Sequence, residues 1–106
     1  MATATHTVRI DGRFVLSRAD FYAAIEQVKG TPDWMGRNLD ALFDVVVAIW
    51  PKPTVLEWNH AGASASAMGA DFEILLGVLR DAVTEPRSQF TLRVFDGELD
   101  IQEHAQ

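Results

Sequence analysis

The sequence predicts an α/β fold, a small three-stranded parallel sheet with three to four helices. Short β-branched runs at residues 5–10, 54–58 and 90–95 read as strands. Apolar stripes at helical spacing occupy the stretches between them. Helical crossovers between successive strands require those strands to run parallel, because only antiparallel neighbours can be joined by a tight turn.

The first strand stops at Asp11-Gly12. Ser17 can cap the first helix, with Asp20 three residues on as a shorter stand-in for the usual Glu. Phe21, Ile25 and Val28 form that helix's apolar stripe; Gly30 ends it and Pro32 prevents its continuation. Asn38 reads as the cap of a second helix that buries Leu39, Leu42, Val46 and Ile49 and terminates at Pro51 and Pro53. Residues 61–70, rich in Ala, Ser and Gly, fit either a loop or a short helix. Phe72, Leu75, Leu76, Leu79, Ala82 and Val83 give the strongest helical stripe, closed by Glu85-Pro86. After the last strand, Asp96-Gly97 signals a turn, and residues 98–101 either pair back as a hairpin or fray.

At 106 residues and 48% hydrophobic content, the chain is expected to form one domain, with a core at about residues 5–95 and an acidic extension over 96–106. It has no cysteine, so disulfides and thiolate metal sites are excluded. The amino terminus has no basic residue ahead of an apolar run, so no secretory signal is expected. The longest apolar run, residues 45–50, is too short to cross a bilayer. A soluble, cytoplasmic protein that avoids membranes is the expectation. The net charge of -6 disfavours phosphate backbones and favours basic partners. The excess is uneven, since Asp96, Glu98, Asp100 and Glu103 all follow the last basic residue, Arg93. His6, His60 and His104 are scattered without metal-ligand spacing, and neither a nucleophile elbow nor a phosphate loop is present. No cofactor, metal or catalytic residue is expected.

The informative stretch is residues 32–44. With Asn38 as the cap, Asp40 and Asp44 fall one turn apart on a helix face flanked by Phe43 and Val47, away from the buried stripe. Asp40 is equally explained by the helix dipole, whereas for Asp44 the residues alone favour an ordinary solvated charge. Trp34, in the loop before the helix, and Phe43 either join a binding patch or tuck into the core. Gly36 fits a tight turn, a positive φ or a close backbone approach. Asp81 sits near the carboxyl end of the last helix, where the dipole disfavours an anion. Glu57, near the end of the second strand, fits a structural hydrogen bond better than a site.

Gly36, Asn38-Leu39-Asp40-Ala41-Leu42, Phe43 and Asp44, followed by Val55-Leu56-Glu57-Trp58, resemble the barstar family, intracellular inhibitors of the secreted ribonuclease barnase. A weaker match runs through Leu79-Arg80-Asp81-Ala82, and the order of elements agrees over most of residues 5–95. The resemblance implies that the second helix and its preceding loop plug a ribonuclease active site. It carries the inhibitory carboxylates onto Asp40 and Asp44, aromatic contacts onto Trp34 and Phe43, and an acidic contact onto Asp81. The expected partner-binding set is therefore Trp34, Gly36, Asn38, Asp40, Phe43, Asp44, Val47 and Asp81. The expected partner is a small basic ribonuclease bound by a monomer; no direct contact with nucleic acid is expected.

The chain departs from the family pattern at Met35, where a second tyrosine is usual, at Phe43 for tryptophan, and at Val47 for threonine. Arg37 is expected to place a positive charge inside the acidic patch, and the tail after Phe95 runs beyond the family's last strand. Two other readings compete with the inhibitor. One is a barstar-like module for a partner other than a ribonuclease. The other is an enzyme using Asp40, Asp44 and perhaps Glu57 as paired carboxylates or metal ligands, which requires a concave pocket.

Overall fold

The structure, a computed structural model, describes residues 4–96. Its three strands, β1 (His6–Asp11), β2 (Thr54–Asn59) and β3 (Phe90–Val94), form one sheet in the order β1-β2-β3. Both pairings are parallel; Arg9 lies opposite Glu57, which lies opposite Arg93. Four α-helices connect them: α1 (Arg18–Glu26) and α2 (Leu39–Asp44) in the first crossover, α3 (Ala61–Met68) and α4 (Ala70–Thr84) in the second. The expected hairpin at 98–101 and nearly all of the acidic extension lie outside the described residues.

Both crossovers step in the same direction across the sheet. With the hand that βαβ units share, that order puts every helix on one face. The burial pattern agrees. Val8, Ile10, Leu56, Trp58, Leu92 and Val94 point into the core, whereas Thr7, Arg9, Val55, Glu57, Thr91 and Arg93 form the opposite, accessible face. A parallel sheet is usually covered on both sides. Here the open side carries mainly polar and charged residues at alternate positions, so it needs no second layer.

Trp58 centres the core. It stacks on Phe21 of α1 at 5.2 Å between ring centroids and meets Phe72 of α4 edge-on at 5.0 Å. Its indole donates to Ser64 Oγ at 3.1 Å, and that hydroxyl donates to the Gly12 carbonyl at 3.0 Å. A buried Trp N–H without an acceptor is costly, so this relay ties β2, α3 and the turn after β1 together. It also accounts for a helix in the Ala/Ser-rich segment, which carries no strong apolar stripe. Gly12 is required there, since an added Cβ would lie 2.3 Å from the His60 carbonyl oxygen.

The helix starts follow their caps. Ser17 accepts from the Asp20 N–H at 3.1 Å, while Asp20 reaches back to the Leu16 N–H at 3.0 Å. α1 ends at Glu26, before the expected Gly30 stop, although Gly30 does take a positive φ of 102°. The second helix is only partly α. After Asp44 it widens into a π turn over Val45–Ile49, closed by Trp50 N–H to the Val45 carbonyl at 2.8 Å.

Candidate functional site

α2 and the loop before it are held from several sides. The Asn38 side chain accepts from the Ala41 N–H at 2.8 Å, satisfying one of the free donors at the helix start. Gly36 leaves room for that cap: an added Cβ would lie 2.9 Å from Asn38 Nδ2. Its φ lies outside the left-handed region, so close approach accounts for it. Below the helix, Leu42 is fully buried, and α4 packs alongside.

Three further contacts pin the loop. Met35 is buried at 8% exposure, so it anchors the loop where the family carries a tyrosine. The indole of Trp50 donates to Thr31 Oγ1 at 2.8 Å. Arg37 makes a two-pronged pair with Glu26 of α1, at 2.7 and 2.9 Å. Such a fork fixes orientation as well as charge. The Arg37 guanidinium holds the Glu26 carboxyl below its ordinary range, and Glu26 in turn raises Arg37.

On this frame the structure exposes the expected carboxylates. Asp40 and Asp44, four residues apart on α2, are both exposed, and neither has a cationic partner among the described residues. Trp34 stands out of the loop at 77% exposure. Burying such a ring would stabilise by roughly 1.5–3 kcal/mol. Phe43 is half-buried, packed on the core with the rest of its ring accessible. Asp81 is exposed on α4.

Three expectations are corrected. Val47 does not lie on the exposed face; it is 1% exposed. The π turn is the reason. Its wider winding rotates Val45, Val46 and Val47 together into the core and turns Ile49, expected inside, out to solvent. Arg37 does not contribute a free positive charge to the acidic face either, because Glu26 neutralises it. Sequence reasoning missed Glu26, Met35 and Thr31 as supports of the loop. Met35 carried the only signal, an apolar residue in a loop bearing Pro and Gly.

Glu57 is spoken for elsewhere. It pairs with Arg9 at 3.0 Å and Arg93 at 3.8 Å across the open face of the sheet, 18% exposed. Asp40 and Asp44 stand exposed on α2. The arrangement can accept hydrogen bonds from a basic macromolecular surface.

Fold and face together define a small α/β domain with two exposed carboxylates, unpaired among the described residues, on a braced helix. The chain belongs to the barstar family: the family model described as Barstar (barnase inhibitor) matches residues 5–96. At that level it is placed among inhibitors that bind a ribonuclease such as barnase, a family of binders and not of catalysts.

Proposed function

We propose that this chain inhibits a small basic ribonuclease of the barnase type inside the cell, by laying α2 and its preceding loop over the enzyme's active site. A ribonuclease holds RNA phosphates with Arg, Lys and His. A carboxylate fixed on a helix takes a phosphate's place, accepts charge-assisted hydrogen bonds and offers no bond to cleave. Asp44 and Asp40 fill that role. Trp34 and Phe43 add apolar contact beside them, and Asp81 adds negative charge from α4. Asn38 and Gly36 act by holding the start of α2 in place. Val47, being buried, supports the face from beneath.

The observation that carries this reading is the pair Asp40 and Asp44, exposed and without a cationic partner among the described residues, on a helix held by its cap, its loop and the core. Preorganisation of this kind removes the ordering cost that otherwise weakens binding. The test is an RNA cleavage assay with barnase, and with other small microbial ribonucleases, titrated with the purified chain. Loss of cleavage that reaches completion at one chain per enzyme is the expected result. Full cleavage across the whole set, with the chain in excess, contradicts the reading and leaves a partner other than a ribonuclease.

A further inference from the structure

Among the described residues β1 is an edge strand, and one side of its backbone has no partner in the sheet. His6 N–H donates to the Pro53 carbonyl at 2.9 Å. In a parallel ladder that register turns the peptide groups of His6, Val8 and Ile10 toward β2 and those of Thr7, Arg9 and Asp11 outward. The strand contains no proline to blunt this edge. Alongside it, residues 6–9 face Ala24, Val28 and Lys29 across a groove of about 290 Å³. A strand edge with an open backbone is the geometry in which extended peptides add to a sheet, backbone to backbone, and here the end of α1 and the turn after it give the added side chains a wall to rest on.

The charge of the groove is opposite to that of the molecule. Arg9 and Lys29 line it and no Asp or Glu does, in a chain of net charge -6. Arg9 leans onto Glu57, but that carboxylate is shared with Arg93, so the row keeps a positive excess. Lys29 is exposed and has no carboxylate partner among the described residues. A second copy of the chain is a poor match, because His6-Thr7-Val8-Arg9-Ile10-Asp11 brings no net negative charge to this edge.

We propose that the β1 edge and this groove bind an extended acidic segment of another protein, added as a fourth strand. Its backbone pairs with Thr7 and Arg9, carboxylates on its two faces meet Arg9 on the open side and Lys29 on the helix side, and an apolar side chain between those on the helix side rests on Ala24 and Val28. The surface is built from β1, the end of α1 and the turn after it and does not use Asp40 or Asp44, so it stands or falls independently of the ribonuclease reading.

The test is an NMR titration of the labelled full chain with the blocked peptide acetyl-Glu-Glu-Thr-Val-Glu-Glu-amide, which as a strand presents carboxylates on both faces, and with its Lys-for-Glu counterpart. The acidic peptide is expected to give saturable shifts at the amides of Thr7, Arg9 and Val28, and the basic one none. Lys29→Glu is expected to raise the dissociation constant roughly tenfold. Thr7→Pro removes an outward N–H without touching the β2 ladder, and is expected to abolish the shifts. Absence of saturable shifts, equal response to both peptides, or shifts unaffected by Lys29→Glu overturns the proposal. Shifts at Thr7 and Arg9 that follow the concentration of the chain alone assign the edge to a second copy and overturn it as well.

Discussion

Two regions of this molecule carry carboxylates on regular structure, and they treat them oppositely. On the open face of the sheet, Glu57 is flanked by Arg9 and Arg93, one from each neighbouring strand, so its charge is answered within the chain. On α2, Asp40 and Asp44 are answered by nothing among the described residues, although the scaffold beneath them is fully tied down. The one cation that sequence places beside them, Arg37, is drawn off by Glu26. Pairing marks the first charge as part of the fold. Lack of pairing on a rigid element marks the second pair as available to a partner. Like charges four apart on a helix cost a few tenths of a kcal/mol, and the fold gains little from keeping them.

The contrast can be broken most sharply at Asp44. Asp44→Ala is expected to weaken binding to the inhibited ribonuclease by about 2 kcal/mol or more, while thermal unfolding shows a stability change within about 0.5 kcal/mol. Asn38→Ala is expected to lower stability by about 1 kcal/mol through the lost cap, seen as a lower denaturant midpoint, and to weaken binding by a comparable amount because it frees the start of α2. Glu57→Gln is expected to leave binding unchanged and to cost less than about 1 kcal/mol of stability, since its ion pairs are partly solvated. Added salt is expected to slow association in stopped-flow measurements far more than it speeds dissociation, as steering by the α2 face requires.

The smallest effect concerns pH. Glu26 is held below its ordinary value by Arg37, and Asp11 is held at about 2 by Arg13. A depressed carboxylate contributes stability above its unfolded value and loses it as pH falls through its folded one. Stability is therefore expected to decline on acidification below the ordinary carboxylate range. In Arg37→Gln the part belonging to Glu26 is expected to be missing from that decline, as read from denaturant midpoints across the acid range.

The strands, the caps Ser17 and Asn38, and the α4 stripe were legible because each rests on the nature of a few neighbouring residues. The exposed aspartates were legible for the same reason, through the spacing of Asp40 and Asp44 after a cap. The π turn was not. It depends on Trp50 reaching back five residues to Val45, which no local periodicity encodes, and so Val47 and Ile49 exchanged places. The Glu26–Arg37 clamp was equally hidden, because its partners are 11 residues apart across a loop. The α3 helix could not be separated from a loop by composition alone. Its central Ser64 is fixed by Trp58 and Gly12, contacts that exist only once the sheet is assembled.

The central claim is that the unpaired α2 carboxylates, and not acidity in general, do the inhibiting. It is tested most directly by measuring inhibition constants for Asp44→Ala and Glu57→Gln side by side against the same ribonuclease. Each variant removes one negative charge, so any effect of net charge is shared. The account predicts that Asp44→Ala loses inhibition roughly thirtyfold or more while Glu57→Gln inhibits like the parent chain. Equal losses in the two variants would contradict it and reduce the α2 face to a part of the general acidity of the surface.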